Sequence, residues 1–390
     1  MRFHGCMKFH RHLLLMFLLT LAAVPTLASA QSGKGKYLMY VGTYSQRGSK
    51  GIYAYRYDGS SGEASPLGVA AETQDPSFLV IDPNRKWLYA VNERHDYKGQ
   101  SSGAVTAFEI DRTTGKLTEL NELASRGADP CYIALDHTGR FALVANYTGG
   151  NLAVFPVQAD GRLGDSSAFV QHKGSGPNHD RQEGPHAHFI DLSPDNRFAL
   201  AVDLGLDEVL SYRFDANSGS LGNDPAAAKV DPGAGPRHLA FSPSGKFVYV
   251  INEIEATVTS FSYDPKTGAL RRLEVAPTLP TDFKGENTSA EIVMHPSGKF
   301  LYVSNRGHDS IAVFAVDPKS GKLTLVDRTA TQGKEPRNFE IDPAGTRLFA
   351  ANQESDNIVV FKIDPVSGHL TPTGQKFKVP APVCIRFMAE

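Results

Sequence analysis

The segment GPRHLAFSPSGKFVYVINE, residues 235–253, decides the fold. It enters on Pro236, runs through a short alternating stretch to a tight polar turn at Ser242-Pro243-Ser244-Gly245, and continues as an apolar run ending at Asn252 and Glu253. Two short segments rich in β-branched and aromatic residues, separated by turn formers, read as an antiparallel hairpin. The same block returns at Pro76–Glu93, Pro130–Tyr147, Pro185–Leu204, Ser289–Arg306 and Pro336–Gln353. A seventh copy is split between the two ends of the chain, with its first strand at Pro382–Phe387 and its second at Tyr37–Thr43.

Each block is followed by a further strand and a D-x-x-[ST]-G turn, at Asp58–Gly62, Asp111–Gly115, Asp215–Gly219, Asp264–Gly268, Asp317–Gly321 and Asp364–Gly368, with a shortened Asp160-Gly161 in the remaining copy. Those glycines lie 46 to 58 residues apart, the period of a propeller blade and not of a helical solenoid. Each unit is therefore a four-stranded antiparallel meander. Such a meander buries its faces only by stacking on copies of itself, so seven copies predict an all-β, seven-bladed β-propeller whose ring is closed by N- and C-terminal strands in one blade.

Composition agrees with a soluble β protein: 390 residues, 41% hydrophobic and 21% charged, with 36 Gly and 24 Pro for the turns. Residues 1–30 differ from the rest. Arg2, Lys8 and Arg11 precede an apolar run from Leu13 to Val24, and Ala28-Ser29-Ala30 follows. That order predicts a signal peptide over 1–30, an exported periplasmic or secreted product, and a single propeller domain over 31–390. The apolar run is too short to span a bilayer, and no later segment is long enough, so no membrane span is expected in the mature chain. Loss of three basic and no acidic residues takes the formal charge from −2 to −5, which argues against nucleic acid as a partner. Cys131 and Cys384 remain, and the repeat register puts them on non-neighbouring blades, so both are expected as free thiols. A monomer is expected.

Where repeats differ at one equivalent position, the difference points to function. The residue that enters the first strand of successive blades reads Ser77, Cys131, His188, Arg237, Ala290, Arg337 and Val383; the residue after the second strand reads Thr43, Glu93, Tyr147, Leu204, Glu253, Arg306 and Gln353. The polar members His188, Arg237, Glu253, Arg306, Arg337 and Gln353 fall in one arc of the ring. An imidazole and a carboxylate among guanidinium groups suit acid–base chemistry on an anionic substrate. On this reading Arg237→Ala and Glu253→Ala each abolish most activity while the propeller stays folded and its melting temperature barely moves, and Glu93→Ala, outside the arc, costs little. The Asn column (Asn92, Asn146, Asn252, Asn305, Asn352) reads as scaffold. His186 and His188 have H-x-H spacing, but with no third His or Cys nearby no metal is expected, nor any other cofactor. There is no G-x-S-x-G elbow and no phosphate-cradling glycine loop.

In PHAHFIDLSPDNR (185–197), GPRHLAFSPSGKFVYVINE (235–253), SAEIVMHPSGKFLYVSNRG (289–307) and EPRNFEID (335–342) the chain resembles the lactonase family of seven-bladed propellers, which includes propeller-type 6-phosphogluconolactonases and fungal carboxy-muconate lactonizing enzymes. The likeness spans residues 37–387. It implies a lactone hydrolase acting on a small-molecule anionic lactone, with His188, Arg237, Glu253 and Arg306 as catalytic residues and His186, Arg337 and Gln353 as substrate contacts. The alternatives are a muconate-type lactonizing cycloisomerase and a non-enzymatic envelope binding module. An export signal sits poorly with a cytoplasmic phosphorylated substrate, so the resemblance speaks more for the site and the reaction type than for the phosphate.

Overall fold

The computed structural model describes residues 1–4 and 35–390. The body of the expected signal peptide and its A-x-A site lie outside the described residues. Within residues 35–390 seven antiparallel sheets stack as the blades of a ring, and a separate two-stranded hairpin pairs Asp96–Tyr97 with Gln100–Ser101. Blade 1 is built from both ends of the chain: the inner strand Pro382–Ala389 pairs with Lys36–Thr43, followed outward by Gly51–Asp58 and Ala64–Glu72. Blades 2 to 7 follow in chain order, with inner strands Pro76–Ile81, Pro130–Leu135, Ala187–Leu192, Pro236–Phe241, Thr288–Met294 and Pro336–Ile341. The only helical segment among the described residues is a 3-10 turn at Gln353–Ser355, and no helix there is long and apolar enough to cross a membrane.

Blade faces meet as apolar layers, as the period-two pattern requires. At the closing seam Met39, Val41, Tyr55, Tyr57 and Ile385 of blade 1 pack on Phe349, Ala351, Ile358 and Val360 of blade 7. The Tyr57 hydroxyl donates across the seam to Asp342 Oδ2 at 2.8 Å. The D-x-x-[ST]-G turns are all alike: the glycine N–H returns to the aspartate carbonyl and the glycine sits at φ 71 to 80°. Only glycine takes that conformation cheaply. Every asparagine of the Asn column is buried, and Asn92, Asn146, Asn305 and Asn352 each donate back to the loop that precedes their blade. Cys131 and Cys384 are buried and unpaired, on the inner strands of blades 3 and 1.

Two local features aim side chains at the channel. In five blades the residue before the inner strand is left-handed (Asp75, Asp129, Gly235, Glu335 and Ala381, φ 39 to 63°). In all five its carbonyl accepts the N–H of the residue after the second strand, as Gly235 does from Glu253 at 2.6 Å. The next step is a β-bulge in every blade, and Ser77, Cys131, His188, Arg237, Ala290, Arg337 and Val383 all lie at that register shift. A bulge inserts an unpaired residue and re-aims its side chain. One residue deeper the channel is blocked. Tyr132 packs against Phe78, Phe189 and His238, from blades 2, 4 and 5, at ring distances of 4.0, 4.3 and 5.0 Å.

Candidate functional site

Above this aromatic layer the channel mouth is a cavity of about 340 Å³. His188 and Arg337 reach it from inner strands; Glu93, Tyr147, Glu253 and Arg306 reach it from the ends of second strands; Thr288 and Arg181 complete the wall. A chamber of about 10 Å³ lies beneath, between Ser77, Cys131, Arg237, Val383, Glu93 and Arg337.

Glu253 is the centre of the charge arrangement. Its Oε1 accepts from Arg181 Nη2 at 2.6 Å, and its Oε2 lies 3.0 Å from Arg237 Nε and 3.1 Å from Arg306 Nη2. Burial pushes the Glu253 carboxyl up, but Arg306, Arg237, His188 and Arg181 together outweigh it and hold the group well below the usual carboxylate range. Burial and the neighbouring Arg337 and Arg306 bring Arg237 down to about 10, so it is still a cation at neutral pH. Arg306 is further tied to the Thr288 and Ser289 carbonyls.

Arg237 is positioned from below. Its Nη1 donates to the Ala290 carbonyl at 2.8 Å and lies 3.2 Å from His238 Nε2. A guanidinium only donates, so Nε2 of His238 is the acceptor and its Nδ1–H donates to Glu291 Oε1 at 2.9 Å. Glu291 Oε2 accepts in turn from Asn338 at 2.6 Å. Burial, reinforced by Arg237, keeps His238 neutral.

His188 is neutral for the same reasons, burial first and then Arg237 and His238. Its Nδ1 is buried with no partner. The ring lines the cavity.

The four residues expected to be catalytic thus share one cavity wall or lie directly below it, and Arg337 joins them. His186 and Gln353 do not. The His186 ring stacks on Tyr147 at 4.4 Å and contacts Glu183, and it supports the wall from behind. The Gln353 amide donates to Glu354 within its own 3-10 turn. His186 and His188 hold no common point as metal ligands, and no group of three or more His, Cys, Asp or Glu is gathered among the described residues.

Other expectations need correction. Glu93 does not lie outside the site; it lines the same cavity as Glu253. The residue after the second strand in blade 1 is Tyr44, not Thr43, because Thr43 pairs with Pro382 as Asn92 pairs with Pro76. The Tyr44 hydroxyl donates to Glu93 Oε1 at 2.9 Å, and Arg337 lies over the Tyr44 ring at 5.2 Å. Glu253 and Arg237 are 5% and 3% exposed, so their removal is a structural event as well as a chemical one.

The family scan matches residues 38–387 to the model described as lactonase, 7-bladed beta-propeller. The chain belongs to the lactonase family of seven-bladed β-propellers. A 6-phosphogluconolactonase of Bacillus subtilis is 39% identical over 353 residues, covering 90% of this chain and 99% of that one. A 6-phosphogluconolactonase of Formosa agariphila is 36% identical over 309 residues, 78% of this chain and 86% of that one. The solved structure of a periplasmic gluconolactonase of Pseudomonas aeruginosa superposes with a TM-score of 0.85 at 38% identity, covering 91% of this chain and 99% of that one.

Within this lactonase-family ring one cavity-lining side chain comes from outside the repeats. Arg181 stands on the loop between Ala168–Gln171 and Ala187–Leu192 of blade 4. The neighbouring Gln182, fully buried, pins that loop by donating to the Leu204 carbonyl and to Asp207 at 2.8 and 2.7 Å. Arg181 is thereby held over the mouth, against Glu253 and the Tyr147 hydroxyl.

Proposed function

We propose that this protein is a lactone hydrolase that opens the ring ester of a sugar-acid lactone at the channel mouth. The observation that carries the reading is the pair Arg237 and Arg306, held by one carboxylate beside a neutral His188. Water attack on a lactone carbonyl moves negative charge onto the carbonyl oxygen. Guanidinium groups already fixed by Glu253 meet that charge without reorganising, and one such donor contributes roughly 2.7–4 kcal/mol to the transition state. The neutral His188 ring lines the same cavity, where an imidazole can give or take a proton at the substrate. Four arginines face three glutamates, Glu93, Glu253 and Glu291, at the cavity and the chamber beneath it, so the site carries one more cation than carboxylates to meet the oxyanion, the acid product, or an anionic lactone.

The substrate class we propose is a gluconolactone. The similarity to proteins named 6-phosphogluconolactonase supports it, and the similarity to one named a periplasmic gluconolactonase supports an unphosphorylated substrate outside the cytoplasm. The signal-like residues 1–30 point the same way. The test is acid release by purified residues 31–390, followed by pH-stat with glucono-δ-lactone, its 6-phosphate, a galactonolactone and a muconolactone. Acceleration of a gluconolactone over its spontaneous hydrolysis is expected. No acceleration with any lactone refutes the reading.

A further inference from the structure

Glu253 is the obvious carboxylate for moving the proton of the attacking water, and its geometry argues against that role. Both of its oxygens are engaged by guanidinium groups, Oε1 by Arg181 and Oε2 by Arg237 and Arg306. A carboxylate set among three guanidinium groups is held well below the usual carboxylate range, so it is a weak base that organises charge.

Glu93 stands at the equivalent register position of blade 2 and faces the same cavity as well as the chamber beneath it. Its two oxygens are unequal. Oε1 accepts from the Tyr44 hydroxyl at 2.9 Å and lies 3.7 Å from Arg337 Nη2, and Oε2 is buried with no partner in the protein. Buried acceptors in folded proteins are almost always satisfied, so the lone oxygen of a carboxylate whose residue lines both the cavity and the chamber is an acceptor left for a group that enters them. Tyr44 fixes the carboxylate from one side and Arg337, lying over the Tyr44 ring, balances its charge.

We propose that Glu93, not Glu253, is the proton-transfer carboxylate of the site, an inference that rests on the hydrolytic reading above. Glu93 Oε2 takes a proton from water as the water oxygen bonds to the lactone carbonyl carbon, and the carbonyl π electrons move to its oxygen beside Arg237 and Arg306. When the tetrahedral adduct collapses, the bond from the carbonyl carbon to the ring oxygen breaks. The ring oxygen recovers the proton from Glu93, and the new carboxylic acid releases its own to solvent.

The experiment compares wild type, Glu93→Gln and Glu93→Ala on the lactone that the wild type opens. Glu93→Gln keeps an acceptor for Tyr44, so it is expected to melt with the wild type while kcat falls by ~10²- to 10⁴-fold. Added formate is expected to restore turnover to Glu93→Ala, because it returns a carboxylate to the vacated space; a merely structural glutamate gives no such rescue. A kcat for Glu93→Gln within about threefold of wild type, far inside the range for loss of a positioned base, overturns the proposal and leaves the hydrolytic reading standing, as does a folded Glu93→Ala that formate does not revive. A wild type that opens no lactone removes the hydrolytic reading itself, and this role of Glu93 with it.

Discussion

Replacing Glu253 with alanine strips the counter-charge from three guanidinium groups at once, and one of them, Arg237, is 3% exposed. Breaking a buried pair by removing one partner costs ~3–5 kcal/mol, because the remaining charge is left in a poorly solvated place. With an unfolding entropy of roughly 2.1 cal/mol/K per residue, about 0.75 kcal/mol/K over the described ring, that loss lowers the melting temperature by roughly 4–7 °C. The Glu253 carboxyl is depressed in the folded state, so its contribution is complete above the unfolded value of ~4.3 and is lost as pH falls through the folded one. Calorimetry is therefore expected to show a constant gap between wild type and Glu253→Ala from about pH 5 to 8, closing only in acid below ~4. The double variant Arg237→Met/Glu253→Ala is expected to melt above Glu253→Ala, since it also removes the stranded cation. A melting temperature for Glu253→Ala within about 1 °C of wild type at pH 7, well short of the change worked above, or a gap that widens in acid, refutes the reasoning.

Arg237→Ala and Arg306→Ala are each expected to reduce turnover by ~10²- to 10³-fold in the pH-stat assay. Burial holds the Cys131 thiol well above its ordinary value and pushes Cys384 up to about 11, so residues 31–390 are expected to show no reactive thiol when native and two when denatured without reductant. N-terminal sequencing of the exported product is expected to begin at Gln31; an intact Met1 or Met7 on a cytoplasmic product contradicts export.

The ring and most of the mouth are readable in the sequence because repetition supplies an internal control. Six near-copies of one hairpin fix where a bulge falls, and whatever departs from the common pattern at the bulge faces the channel. That comparison found His188, Arg237, Arg306 and Arg337. It failed where the repeat itself is irregular. Blade 1 has Gly42-Thr43 where the others have an Asn or Asp, so the count slipped by one and Tyr44 was passed over. Arg181 lies outside the repeated hairpins, on the long loop that joins blade 3 to blade 4, and nothing in the sequence links it to a glutamate 72 residues on. Glu93 occupied the right column, but an order of blades cannot reveal that its side chain leans into a narrow cavity shared with the opposite arc. Gln353 and His186 show the converse: both have suitable positions, and local partners at Glu354, Glu183 and Tyr147 turn them to other work.

The blade that joins Lys36–Thr43 to Pro382–Ala389 sets a timetable for biosynthesis. Some 340 residues separate the first strand from its innermost neighbour, and at ~5–20 residues per second the ribosome takes roughly 17 to 70 s to supply it. Throughout that interval the nascent ring is an open arc with a bare strand edge at its start, a surface prone to pairing with other chains. Among the described residues it is the pairing of Lys36–Thr43 with Pro382–Ala389 that completes the first blade, so the ring closes only after the strand made last has reached the strand made first.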